Sequence, residues 1–173
     1  SLNLIRMDYK TLQGADALRA AFRRHASGIS VITGSDQGQP FGFTASSATS
    51  LGSNPPLISL NIAQGSSSYP LMTTGRLLGL HVLGSENLPL AQQMAGAKED
   101  RFKSAYQAGP EDVPVFEQAS AVLLVRIRSV IDVEKNAVVI CDVESGFELN
   151  EQSPITYFQR GYHSIGDRLA DNF

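Results

Sequence analysis

Two stretches of this chain are dense in hydroxyl groups. "TASSATS", Thr44–Ser50, holds five Ser or Thr in seven residues, and "GSSSYP", Gly65–Pro70, follows a short way downstream. Hydroxyls at this density place donors and acceptors close to the backbone. If "FGFTASSATSL" is one strand, Gly42, Thr44, Ser46, Ala48 and Ser50 share a face that is small and largely polar. A flat ligand could lie against it; equally, it could be a solvent-facing Ser/Thr surface or a set of hydroxyls satisfying a bend. In the second stretch, Ser67 or Ser68 can cap a helix with Pro70 in its first turn. A helix start presents unpaired N–H groups and the positive end of a dipole, which suits phosphate; without a ligand it is a plain cap. Arg101 in "EDRFKS" could add a cation to that phosphate, or pair with Glu99 or Asp100. A flat-ring surface, a phosphate cradle and a cation together suit flavin mononucleotide (FMN).

Other chemistries find little support. There is no Gly-x-Gly-x-x-Gly and no Walker-type loop, so a dinucleotide would not bind in the Rossmann manner. His25, His81 and His163 lie far apart with no metal-ligand spacing, and no metal is expected. No Gly-x-Ser-x-Gly elbow is present, and no base lies near Ser46 or Ser47 in sequence. The single cysteine, Cys141 in "AVVICDV", rules out an intramolecular disulfide and reads as a buried, inert thiol. A net charge of −3 with scattered arginines argues against nucleic acid. No segment has the ~20 apolar residues of a membrane span, and "SLNLIRMDYK" lacks a signal-peptide core, so a cytoplasmic protein is expected.

The elements that must position these residues fit one domain, 1–173. "ADALRAAFRRHAS" predicts an amphipathic helix over 15–27, with His25 packed on its apolar face. "ISVIT", "FGFTASSATSL", "LISLNI" and "RLLGLHVL" read as strands; "YPLMTTG", "NLPLAQQMAG" and "KEDRFKSAY" read as helices. "SAVLLVRIRSVIDVE" and "NAVVICDVESGFEL" suggest a long hairpin turning near Glu134–Asn136, and "PITYFQRGYHSI" follows. Many strands and few helices predict a mainly β fold, an antiparallel barrel with peripheral helices.

The order "LRAAFRRHASGISVIT", "PFGFTASSATSLGSNPPLISLNI", "GSSSYP", "GRLLGLHVL", "DRF" and "PITYFQRGYHSIG", from about 17 to 166, resembles the flavin reductase-like family. The resemblance implies a six-stranded antiparallel Greek-key split β-barrel of the FMN-binding type, forming a homodimer with flavin near the interface. It assigns Thr44, Ala45, Ser46 and Ser47 to the isoalloxazine, and Asn61 or its backbone to the ring or ribityl chain. It assigns Ser66, Ser67 and Ser68 to the phosphate, with Arg101 on the phosphate side and Phe102 packing nearby. Tyr162 and His163 would edge the nicotinamide or flavin pocket, His163 orienting the nicotinamide or assisting protonation. The implied activity is NAD(P)H-dependent reduction of FMN (or FAD), with NADH or NADPH as co-substrate and a flavin-dependent monooxygenase as a partner. The alternative is an FMN-binding electron-transfer or sensor protein without NAD(P)H turnover; a ligand-free dimeric interaction module is a third reading. Two departures stand out: "EKNAV", Glu134–Val138, replaces a Gly-Asp-His turn of many members, and His81 stands where the family usually has Asn.

Overall fold

A computed structural model describes residues 9–172. The elements in chain order are α1 (Gly14–Phe22), β1 (Ser27–Gly28), β2 (Ser30–Asp36), β3 (Gln39–Ala45), β4 (Thr49–Ser53), β5 (Pro56–Ala63), β6 (Leu77–Val82), α2 (Leu88–Ala95), β7 (Gln107–Ala108), β8 (Pro114–Val115), β9 (Ala121–Val133), β10 (Asn136–Glu148), β11 (Ile155–Phe158) and β12 (Gly161–Ser164). The fold is mainly β, as expected. The main sheet has seven antiparallel strands in the order β3-β2-β6-β9-β10-β5-β4; β1, β11 and β12 form a second sheet, and β7 and β8 a small ribbon.

The seven-strand count arises because "FGFTASSATSL" is not one strand. It breaks at Ser46–Ala48 into β3 and β4, which lie at opposite ends of the sheet order. The link from Ala45 to Thr49 can reach no more than roughly 14 Å at ~3.3–3.6 Å per residue. Seven strands laid flat would span about 29 Å at ~4.8 Å per step. The sheet must therefore curl until its two edges approach. The core agrees: Ile32 of β2 and Phe41 and Ala45 of β3 share one buried cluster with Ile58, Leu60 and Ile62 of β5 and Val139 and Cys141 of β10. Burial pushes the Cys141 thiol up to about 12, which leaves it the inert group expected.

A second cluster covers the outside of β2, β6 and β9. Leu90, Ala91 and Met94 of α2 meet Val31, Val122 and Phe116 there. The small, polar face of β3, which from sequence could serve a ligand, solvent or a bend, is the seat of α2. Thr44 Oγ1 donates to the Ala91 carbonyl at 2.8 Å. A Cβ on Gly42 would come within 2.7 Å of Met94 Cε and 3.2 Å of Phe102. Small side chains on this face let a helix approach closely.

Other expectations change in detail. "YPLMTTG" and "KEDRFKSAY" form only single 3-10 turns, Tyr69–Leu71 and Lys98–Asp100. In the latter, the contacts of Phe102 (stacked) and Tyr106 (edge-on) with Phe116, at 6.0 and 5.9 Å between ring centroids, outweigh local helix propensity. α1 stops at Phe22, and Leu18 and Phe22 remain 60% and 62% exposed. His25 lies past the helix end and is exposed, because no described element covers that face. The β9–β10 hairpin forms as expected, turning at Glu134–Lys135.

His81 is fully buried. Its Nδ1 lies 3.1 Å from the Val31 carbonyl, and its Nε2 accepts the Phe116 N–H at 3.0 Å. The neutral ring, with its proton on Nδ1, thus ties β2 to the segment after β8. Burial lowers its pKa to about 4, despite backbone hydrogen bonds that oppose the shift. The unfolded ring binds a proton below ~6.5, so this stabilising effect is complete above that pH and is lost as pH falls toward 4. The loss should amount to about 3 kcal/mol. Urea unfolding at stepped pH should show a flatter acid limb in His81→Gln than in the parent; parallel limbs would contradict the assignment.

Candidate functional site

The break between β3 and β4 is where the sheet leaves backbone groups open. Among the described residues, the N–H groups of Ser46, Ser47 and Ala48 donate to no protein acceptor. Two clefts flank this segment. The first, about 640 Å³, is bordered by Ser46, Ser47, Thr49, Asn61, His25 and Tyr157, among others. The second, about 390 Å³, is bordered by Thr44, Ser46, Ser47, Asn61, Ser66 and Asn136, among others. Both volumes lie in the ~300–1,000 Å³ range of ligand pockets. Ser46, Ser47 and Asn61 form the wall between them.

Ser47 fixes that wall. Its Oγ accepts the Asn61 N–H at 3.0 Å and lies 3.3 Å from the Asn61 carbonyl, to which it donates. The Ser47 hydroxyl therefore clasps the link to β5, and its backbone N–H is left to face a ligand. Asn61 sits on β5 opposite Val138, and its side chain is exposed. The turn after β9 is held by Gln64, whose amide donates to the Glu134 and Asn136 carbonyls at 2.9 Å each. This brings Asn136, within the "EKNAV" departure, to the second cleft.

The structure gathers some of the expected residues and separates others. Thr44, Ala45, Ser46, Ser47, Asn61 and Ser66 meet around the second cleft. Ser67 is exposed, whereas Ser68 is buried, and the Ser68 N–H donates to Ser66 Oγ at 3.2 Å. The three serines therefore cannot present their hydroxyls alike, and the single 3-10 turn behind them supplies little dipole. Arg101 does not border either cleft: its guanidinium donates to the Gly42 and Gly96 carbonyls at 2.9 and 3.1 Å, bracing β3 against the end of α2. Phe102 packs beside it in the second core cluster. Tyr162 and His163 border a separate hollow of about 120 Å³, with His163 Nε2 held 3.0 Å from the Phe158 carbonyl. Burial raises the Tyr162 phenol, and Tyr162 reaches the first cleft only through its ring contact with Tyr157, at 5.5 Å.

Residues 22–166 match the family model of the flavin reductase like domain. This chain belongs to the flavin reductase-like family. Its sequence is 32% identical over 156 residues to a probable flavin reductase of Rhizobium meliloti (strain 1021), covering 89% of this chain and 49% of the relative. It is 36% identical over 124 residues to an NADH:FMN oxidoreductase of Rhodococcus qingshengii, covering 70% of this chain and 65% of the relative. The chain thus spans about half of the first and just under two thirds of the second of these two curated relatives. A crystal structure of a flavin reductase domain protein from Arthrobacter sp. FB24 superposes with a TM-score of 0.84 at 34% identity, covering 91% of this chain and 99% of that one.

The donor set of this flavin reductase-like domain fits a flavin. An isoalloxazine edge carries carbonyl oxygens and ring nitrogens that accept hydrogen bonds, and Ser46–Ala48 offers consecutive free N–H donors. Phe22, His25, Ser27, Gly28, Tyr157 and Asn136 also border the clefts and were not singled out as site residues from sequence. Of these, only Asn136 lay in a stretch marked as a departure, "EKNAV"; the convergence of the rest depends on sheet closure. Ser47→Ala should cost about 1 kcal/mol of unfolding free energy by removing a two-way clasp. It should also weaken flavin binding; unchanged flavin fluorescence quenching alongside unchanged stability would refute this role.

Proposed function

We propose that this chain is an NAD(P)H:flavin oxidoreductase that works on FMN. The supporting observation is the run of free N–H groups at Ser46–Ala48, set between two clefts of ligand size. The flavin, when bound, supplies the chemistry of accepting a hydride from a nicotinamide. The chain's own groups bind and orient. The free N–H donors of Ser46–Ala48 favour negative charge at the ring edge, as preorganised dipoles do. Asn61 separates ring from tail, and Ser66 borders the second cleft on the phosphate side, with the exposed Ser67 next to it in the chain. The first cleft leaves room for a second ring to stack. Orientation and electrostatics are the protein's share of such chemistry, which explains why no catalytic triad is needed.

The curled main sheet reads as a split barrel, its β3–β4 edge being the split. A homodimer is the assembly that best accounts for the exposed apolar side chains Leu18, Phe22, Leu51, Ile131, Val133 and Phe147. A cytoplasmic setting accords with the lone reduced, buried cysteine. The proposal also covers delivery of reduced flavin to a partner monooxygenase. The NADH and FMN of the Rhodococcus relative's name carry over here as the first pair to try. The other reading, an FMN-binding electron-transfer or sensor protein, draws on the turn at Glu134–Lys135, which brings Asn136 and no histidine to the second cleft.

Purified protein mixed with NADH or NADPH and excess FMN should consume the coenzyme, followed at its absorbance band. Absence of consumption with FMN, FAD and riboflavin would leave the electron-transfer reading. Ser66→Ala with Ser67→Ala should weaken FMN binding several-fold and riboflavin binding little, since riboflavin has no phosphate; equal losses would remove these serines from the phosphate.

A further inference from the structure

Beside the first cleft lies a groove of about 200 Å³, lined by Arg19, Arg23, Phe22, His25, Tyr157 and Arg160, among others. It is continuous with the first cleft, because Phe22, His25 and Tyr157 border both. Arg19 is paired with Asp16 at 2.8 Å. Arg23 and Arg160 make no side-chain hydrogen bond or ion pair among the described residues, and no carboxylate borders the groove. Two arginines with unshared guanidinium forks therefore face one concave surface.

Their meeting is built by the fold. The Gln159 N–H donates to the Arg23 carbonyl at 3.1 Å, fastening the β11–β12 turn onto the end of α1. That turn has two central residues, Gln159 and Arg160, with φ of 51° and 61°. Such positions are normally filled by Asn, Asp or Gly, which tolerate the left-handed region. Here a long cationic side chain occupies one of them. A helix end alone would account for Arg23 by its dipole. It does not account for Arg160, which comes from the far end of the chain.

We propose that this arginine groove receives the phosphate groups of the pyridine dinucleotide while its nicotinamide occupies the first cleft. The idea rests on the reductase reading and adds the anionic subsite that the reading lacks. Planar guanidinium forks suit phosphate oxygens bidentately. The net charge of −3 gives no general attraction for an anionic coenzyme, so a local cationic groove is what captures it. Either the pyrophosphate or a 2′-phosphate supplies this chemistry.

The test compares the parent with Arg23→Gln/Arg160→Gln. Both side chains are exposed, so folding should be retained, and the melting temperature checks this. KM for NADH should rise roughly tenfold or more with kcat little changed, and its dependence on salt should flatten. N-Benzyl-1,4-dihydronicotinamide, a hydride donor without phosphate, should serve parent and variant equally. Loss confined to NADPH assigns the groove to the 2′-phosphate; equal loss for NADH and NADPH assigns it to the pyrophosphate. Arg23→Lys/Arg160→Lys should recover part of the loss. ADP-ribose binding by calorimetry should weaken about as much as the KM, and this readout needs no turnover. Absence of hydride transfer would thus sink the reductase reading while the groove is still judged. Changes within twofold for NADH, NADPH and ADP-ribose alike, or an equal loss with the phosphate-free donor, would overturn the proposal.

Discussion

The short link between β3 and β4 is the constraint on which the structure depends. Ser46–Ala48 joins strands at opposite ends of the seven-strand order, so the sheet can satisfy it only by curling. Curling gives Ile32, Phe41, Leu60 and Val139 a common interior, although they come from strands far apart in the order. At the seam the ladder is interrupted, because three residues cannot pair with both neighbours at once. The unpaired N–H groups there are the geometric cost of closure. In a buried setting such groups would be destabilising; on the wall between two clefts they are available to a ligand.

The surroundings hold that seam in place. Ser47 clasps it to Asn61, and Gln64 holds the β9–β10 turn beside it. On the other side of β3, Thr44, Gly42 and Arg101 couple the strand to α2 and the turn that follows it. Arg101 thus braces the backbone of β3. His81, deeper still, ties β2 to the Phe116 segment by accepting and donating one hydrogen bond each. These contacts are polar, directional and mostly to backbone, so they fix strand positions where apolar packing alone would allow sliding.

Much of this was legible in the sequence. Strand-rich alternation gave the mainly β class, the apolar runs placed the β9–β10 hairpin, and the hydroxyl density at Thr44–Ser50 singled out the stretch, read as one strand, in which the seam lies. Period-two counting ran past the point where the chain turns: it left the face of Gly42 and Thr44 open to a ligand, to solvent or to a bend, and the structure packs α2 there. Glycine and threonine serve a close-packed helix as well as they serve a flat ligand, so side-chain size could not decide between them. Arg101 donates to the Gly42 and Gly96 carbonyls, a contact that sequence did not suggest, since a cation in a turn satisfies backbone carbonyls as readily as a phosphate. His25 continued an apolar helical period whose helix ends before it and whose face no described element covers. The arginine groove was invisible, because Arg23 and Arg160 meet only through the turn docked on the end of α1.

The central claim is that the closure seam is also the ligand floor. Backbone amide hydrogen exchange, followed residue by residue with and without saturating FMN, tests it directly. The account predicts that the Ser46, Ser47 and Ala48 amides exchange freely in the absence of flavin and become protected on its addition. Protection confined to other segments, with these three amides unchanged, would contradict it.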